Sequence, residues 1–118
     1  MSQPAVSIHP YFKIHPGKLA AAQALLPAFV ARTASEPACL SYEFTISDEV
    51  VFCRESYRDA EGALTHLGNV DALLKELLAM ADLARLEIHG PAEEIEKLKE
   101  PLAAFNPTWF VFACGAER

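Results

Sequence analysis

The sequence of 118 residues has few positive charges and no cluster of them. It contains 10 Lys and Arg residues against 16 Asp and Glu residues, which gives a formal net charge of −6. Nucleic acids and anionic membranes are bound through basic surface patches. The sequence therefore predicts that neither is a partner of this protein.

Long apolar runs and secretory signals are also lacking. No uninterrupted apolar run approaches the ~20 residues that cross a bilayer, and the first ten residues, MSQPAVSIHP, have neither the basic nor the apolar region of a signal peptide. The three cysteines, Cys39, Cys53 and Cys114, form no CxxC pair and no zinc-ligand spacing, so free thiols of a reducing compartment are the simplest interpretation. We therefore expect a cytoplasmic protein without a membrane association.

Motifs for common cofactors are missing from the sequence as well. It has no GxGxxG, no GxxxxGK and no group of His, Cys, Asp and Glu at metal-ligand spacing. We expect no metal and no nucleotide bound through those devices. The length fits a single domain, residues 1–118, which can bury roughly two-thirds of its unfolded surface.

Alternating apolar and polar residues are the main pattern that is present in the first half. Period two predicts strands in three segments, which are AVSIHPYFKI, CLSYEFTISDE and VVFCRESYRD. The last two are separated by a short polar link and are typical of a hairpin. An alanine-rich segment with helical spacing lies between the first and second strands, and Pro27 inside it should kink or divide the helix.

A second helix and a fourth strand follow the hairpin. The helix is predicted over DAEGALTHLGNVDALLKELLAMADLA, with Asp59 as its N-cap and a weak point at Gly68 and Asn69. RLEIHG is the fourth strand, and Gly90 closes it. The order β-α-β-β-α-β predicts a two-layer α+β fold with both helices on one face of the sheet.

The C-terminal extension, residues 91–118, differs in character from the core, residues 6–90. PAEEIEKLKEPL is predicted as a short helix, and NPTWFVFACG as a strand that is apolar on both faces. Such a strand does not stay exposed, so it must pair inside the fold or against another subunit. We expect a second subunit to share its burial.

The candidate catalytic residues lie where the third strand meets the second helix. Tyr57 ends the strand, and His66 lies on or beside the helix face that packs against the sheet. An imidazole with a pKa of ~6.5 can act as a base near neutral pH, and a phenol can donate a hydrogen bond to an oxyanion. We predict that His66 is the acid/base group and Tyr57 the orienting donor. Ordinary core or boundary packing remains the alternative for both.

Three further side chains are candidates for lining a substrate pocket: Tyr42, Glu55 and His9. Glu55 shares a strand face with Tyr57 and needs a partner if it is buried. His9 lies on the polar face of the first strand, where it could line a cavity or face solvent or a subunit. The pattern does not choose among these positions for His9.

Three stretches resemble the antibiotic biosynthesis monooxygenase superfamily of dimeric α+β barrels, namely KIHPGKLAAAQALL, SEPACLSYEF and CRESYRDAEGALTHLGN. The matching residues are Pro16, Gly17, Lys18, Glu36, Cys39, Tyr42, Glu55, Tyr57, Asp59, Ala63 and His66. The resemblance extends from about Val6 to Gly90. Tyr57 stands where the family often has Trp, and the Asn-Trp-His set of related haem-degrading proteins is absent, which disfavours haem.

The resemblance implies a ferredoxin-like protomer whose antiparallel sheet packs against that of a partner in a homodimer, with a pocket between the sheet and the helices. It also implies oxidation of a small aromatic or quinol-type compound by O₂ without metal, flavin or other cofactor. Tyr57 and His66 occupy the positions that would matter. Two alternatives are a non-catalytic small-molecule-binding or stress-responsive dimer, and a cofactor-free isomerase or lyase on the same fold.

Overall fold

The computed structural model describes residues 4–116, which form a five-stranded sheet with helices packed on one face. The elements are β1 Val6–Ile14, α1 Leu19–Thr33, β2 Cys39–Ser47, β3 Val50–Tyr57, α2 Ala60–Asn69, α3 Asp71–Leu78, β4 Ala81–Gly90, α4 Ala92–Lys99 and β5 Thr108–Val111. A short 3₁₀ turn, Ala103–Phe105, precedes β5 and is called the C-terminal turn below. None of the helices within residues 4–116 is long and apolar enough to cross a membrane.

The strand order is β2-β3-β1-β4-β5. The first four strands pair antiparallel, and β5 adds to β4 in parallel. The predicted α+β class and the β-α-β-β-α-β order of a ferredoxin-like protomer are confirmed. The fifth strand makes the sheet mixed, whereas the sequence predicted an antiparallel one.

Two details of the helices, the effect of Pro27 and the extent of the second helix, are decided by the structure. Helix α1 runs through Pro27 without a break, and the second predicted helix divides at Val70, next to the predicted weak point. The prediction that this helix continues to Ala84 is wrong, since β4 already begins at Ala81. Ala81 pairs with Ile14 of β1, and that sheet pairing overrides the helical pattern of the segment.

The two faces of the sheet have different surroundings. On the helix side, buried apolar residues form two clusters, one beneath α2 and α4 and one beneath α1 and α3. The other face, called the open face, has no helix over it among residues 4–116. Its side chains include Ser7, His9, Tyr11, Phe52, Arg54, Glu87, His89 and Phe110.

An aromatic row crosses the open face from β3 to β5. The ring of His9 stacks on Phe52 with 6.0 Å between centroids and meets His89 edge-on at 5.0 Å. His89 in turn stacks on Phe110 at 4.4 Å. These four side chains come from four different strands, so the row depends on the sheet order.

The apolar C-terminal strand finds its pairing partner inside its own chain. Residues Thr108 to Val111 pair with Glu87 to Gly90. Phe110, Val111 and Phe112 nevertheless remain 38%, 56% and 47% exposed. Pairing is therefore satisfied within the protomer, and burial shared with a second subunit stays a prediction.

Candidate functional site

A narrow cavity lies between the sheet and the helices, and its volume is about 60 Å³. Its wall is built almost entirely of apolar side chains from both core clusters. Within the described residues 4–116, the cavity wall contains one carboxyl group and one imidazole, those of Glu55 and His66. Small-molecule sites typically combine such an apolar lining with a few convergent polar groups.

The geometry around His66 begins with the start of helix α2. The Asp59 side chain accepts a hydrogen bond from the Gly62 N–H at 2.8 Å, which fixes the first turn directly after β3. Two turns later His66 faces the sheet and is only 2% exposed. The helix thereby places an imidazole in the cavity wall above the end of β3.

His66 lies between two buried carboxyl groups. Its Nδ1 is 3.0 Å from Oε2 and 3.2 Å from Oε1 of Glu36, and its Nε2 is 3.5 Å from Oε1 of Glu55. The side chains of His66 and Glu36 are 3% and 6% exposed. A carboxylate at Nδ1 holds the proton on that nitrogen, which leaves the Nε2 lone pair available as a base beside Glu55.

Glu36 lies in the connection between α1 and β2, and helix α2 supplies a further contact to it. The Asn69 side-chain amide donates a hydrogen bond to Glu36 Oε2 at 2.8 Å. Glu36 is one residue of the family resemblance, and the sequence predicted no role for it. A loop residue has no periodicity, so no local pattern indicated that it would meet the helix histidine.

The pKa of His66 is lowered from its ordinary value of 6.5, chiefly because burial disfavours the charged imidazolium. The hydrogen bond and the charge of Glu36 act in the opposite direction but do not cancel the effect. His66 is therefore a neutral imidazole at pH 7. That is the protonation state in which it can accept a proton from a substrate.

Glu55 has the opposite character. It is 5% exposed, and burial raises its pKa to about 7, although hydrogen bonds from Tyr57 and Cys53 act to lower it. The Tyr57 hydroxyl donates to Glu55 Oε1 at 2.6 Å. Near neutral pH a large fraction of Glu55 is consequently protonated and can donate a proton.

The structure brings together three of the five side chains predicted from sequence. His66, Glu55 and Tyr42 line the cavity, and the Tyr42 ring centroid is 5.0 Å from that of His66. Tyr57 lies beneath them, with its ring 5.2 Å from His66, and is fully buried. Its hydroxyl binds Glu55, so Tyr57 orients that carboxyl group rather than contacting the cavity directly.

His9 does not join this group. Strand β1 alternates, so Ile8 faces the cavity while His9 lies on the open face against Phe52 and His89. His9 therefore does not line the cavity of its own protomer, which was one of the positions that the sequence left open for it. Aromatic neighbours on the sheet partly bury the ring of His9, and this burial lowers the pKa of His9.

A second, more open depression borders the same residues from outside. This outer cleft has a volume of about 250 Å³ and lies between the end of α1 and the start of β2. Glu36 and Thr33 line it, and Tyr42 belongs to both the outer cleft and the cavity. No group of three or more His, Cys, Asp or Glu within residues 4–116 is arranged to hold a metal ion.

Comparison with solved structures gives a full-length match. MupZ from Pseudomonas fluorescens is 37% identical, and the alignment covers 100% of this chain and 92% of MupZ with a TM-score of 0.94. It therefore includes the C-terminal extension. Models of known protein families and curated protein sequences give no match.

More distant structures share the core of the fold. A proposed antibiotic biosynthesis monooxygenase from Caulobacter crescentus CB15 is 24% identical over 73% of this chain and 88% of its own, with a TM-score of 0.66. A second protein named antibiotic biosynthesis monooxygenase is 17% identical over 70% and 94%, with a TM-score of 0.65. The chain therefore belongs to the family that includes MupZ, and it has the fold of the antibiotic biosynthesis monooxygenase superfamily.

Proposed function

We propose that the protein is a cofactor-independent enzyme that uses His66 as a base on a small, mainly apolar substrate bound in the cavity. One observation carries this proposal: the His66 imidazole is held at Nδ1 by Glu36, while Nε2 lies in the cavity wall beside Glu55. A buried, oriented and neutral imidazole next to an apolar cavity is suited to proton abstraction.

The reaction that we propose is oxygenation of an aromatic or quinol-type compound. His66 removes a proton from an acidic C–H or O–H group, and the resulting anion passes one electron to O₂. The two radicals combine to a peroxide, which loses water, so that a CH₂ group and O₂ become C=O and H₂O. The superfamily fold and the apolar wall support this assignment.

Each side chain of the site then has a defined role. Glu36 is a positioning residue for the imidazole, and Tyr57 is a positioning residue for Glu55. Protonated Glu55 donates to the peroxide oxygen that leaves as water. Tyr42 forms part of the wall against which the substrate ring packs.

The test is anaerobic mixing of the protein with a panel of hydroquinones and anthrones, followed by admission of O₂. We expect consumption of one O₂ for each product formed, and a loss of at least 100-fold in rate for His66→Gln. His15→Gln is the matched control, because His15 lies in the exposed turn after β1. Oxygen consumption at background level across the panel would contradict the proposal.

A second candidate function, isomerisation or elimination without O₂, is favoured by the pairing of Glu55 with His66. One group can donate a proton and the other can accept one at the same pH. The distinguishing measurement is anaerobic incubation of the same compounds in D₂O with NMR detection. His66-dependent rearrangement or elimination without oxygen supports this candidate. Deuterium incorporation alone reports only the proton abstraction that both candidates share, and binding without any of these reactions supports a non-catalytic binder.

We also propose that the protein acts as a cytoplasmic homodimer that uses the open face as its interface. The aromatic row from Phe52 to Phe110 lies on a sheet face without helix cover, and aromatic side chains are typical of interface centres. Neither nucleic acid nor a membrane is proposed as a partner, in keeping with the acidic composition.

A further inference from the structure

On the helix face of the sheet, the cavity extends across four neighbouring strands. Its polar end lies at Tyr42 on β2 and Glu55 on β3, and its other end is lined by Leu86 and Ile88 on β4. These strands are neighbours in the order β2-β3-β1-β4. With strands ~4.8 Å apart, three spacings place the outer two of these strands ~14 Å apart.

The cavity is small for that span. The volume open to the centre of a water-sized sphere is only about 60 Å³, although four strands contribute to the wall. So little free space suits a slim, unbranched chain better than a bulky group. Polar partners are confined to the end at Glu55 and His66, so the reacting group belongs there and the chain extends away from it.

The far end is lined by the C-terminal extension. Leu98 of α4 and Leu102 are buried in the core cluster that contains Ile8 and Ile88. Phe105, in the C-terminal turn, packs half-buried against this cluster and forms part of the cavity wall. The turn is anchored on both sides, by α4 before it and by the pairing of β5 with β4 after it.

We propose that the C-terminal extension is a wall of the binding site and that Phe105 sets the maximum length of the apolar chain carried by the substrate. The substrate class is then a compound with a small head group, which carries the acidic C–H or O–H bond, and a slim, unbranched apolar chain. This inference rests on the proposed function only in taking the cavity as the substrate site.

The probe is a series of 1-alkanols from butanol to dodecanol, with affinity measured by calorimetry or by the fluorescence of Trp109. A hydroxyl group can donate to a carboxylate and accept from a protonated carboxyl group, which matches the polar end. Each buried methylene should strengthen binding about fourfold. The gain should stop at the chain length that reaches Phe105. Trp109 is the single tryptophan and packs against the same core cluster as Phe105.

Phe105→Ala should increase the chain length at which affinity stops rising by two or three carbons. Phe105→Leu should increase this length limit by less while preserving most of the packing. Phe112→Ala is the matched control, because Phe112 belongs to the same extension, is 47% exposed and does not line the cavity. The length limit of Phe112→Ala should equal that of the wild type.

Three results would overturn the inference: an unchanged length limit in both folded Phe105 variants, an equal change in Phe112→Ala, or absence of alkanol binding to the wild-type protein. The alkanols require no turnover, so this outcome is independent of the oxygen and deuterium assays. A protein without oxygenase or exchange activity could still show the length limit, and an active protein could lack it.

Discussion

At the scale of single residues, the site consists of one imidazole whose two nitrogens face different carboxyl groups. Glu36 faces Nδ1 and Glu55 faces Nε2, yet only Glu55 lines the cavity. The two carboxyl groups therefore have different tasks. In the mechanism that we propose, Glu36 holds a proton on the ring, and Glu55 exchanges a proton near the substrate.

Replacing Glu36 should change the titration of His66. Because Glu36 raises the pKa of His66 against the effect of burial, Glu36→Gln should lower that pKa further. NMR of the imidazole resonances measures this without a substrate. Glu93→Gln, at an exposed position on α4, is the control, and an unchanged His66 titration would show that Glu36 does not orient the ring.

Replacing Glu55 should change how stability depends on pH. The folded protein keeps a proton on Glu55 up to a pKa of about 7, whereas the unfolded chain releases it near 4.5. Stability contributed by the protonated form is complete below pH 4.5 and is lost as the pH rises to about 7. The wild type should therefore lose on the order of 3 kcal/mol relative to Glu55→Gln across this range.

Urea unfolding at several pH values measures this difference between the two proteins. Glu43→Gln, at an exposed position paired with Arg54, should leave the pH dependence of the wild type unchanged. Parallel stability curves for the wild type and Glu55→Gln would mean that Glu55 has an ordinary acidity.

At the scale of elements, α4 and the C-terminal turn belong to the core although they follow the six elements of the ferredoxin-like order. Leu98 has no exposed surface and packs with Val6 and Ile88 of the central strands. Truncation after Gly90 should therefore expose core residues as well as remove β5. The prediction of a single domain over residues 1–118 can be tested at this helix.

Leu98→Ala should reduce the free energy of unfolding by 2 to 5 kcal/mol, on the order of a large-to-small change in a packed core. Lys99→Ala, one residue later and exposed, should change it by less than about 0.5 kcal/mol. Denaturant unfolding should remain a single transition in both variants. A separate transition for the C-terminal extension, or a negligible effect of Leu98→Ala, would show that the extension is an independent appendage.

At the scale of the whole molecule, the two faces of the sheet have different surroundings. The helix face encloses the cavity, and the open face carries aromatic side chains and no helix cover among residues 4–116. An uncovered sheet face of this composition is suited to association with a second copy. The exposed side chains near Phe110 lie at the edge of that face.

Phe110→Glu should convert the dimer that we expect into a monomer, because it places a charge beside His89 at the proposed interface. Light scattering at micromolar concentration measures this. Val30→Glu is the control, since Val30 is 45% exposed but lies on the helix side. A monomeric wild-type protein, or a Phe110→Glu variant that remains dimeric, would rule out this interface.

Hydrophobic periodicity determined the order of the elements and the placement of His66 on a packed helix face, and the weak helix propensity of Gly68 and Asn69 indicated the break in the second helix. These are local properties, since a pattern along one segment decides which of its residues share a face. The same alternation correctly put Glu55 and Tyr57 on one side of β3.

Only the tertiary structure decided which of these faces meet. Glu36 reaches His66 because the end of α1 lies beside α2, a contact between residues 30 positions apart. β5 pairs with β4, and Phe105 joins the cavity wall, because of the sheet order. Only the packing of the helices shows that the face of β1 that carries His9 is the one without the cavity. Non-local pairing depends on how whole elements pack together, and no short sequence pattern carries that information.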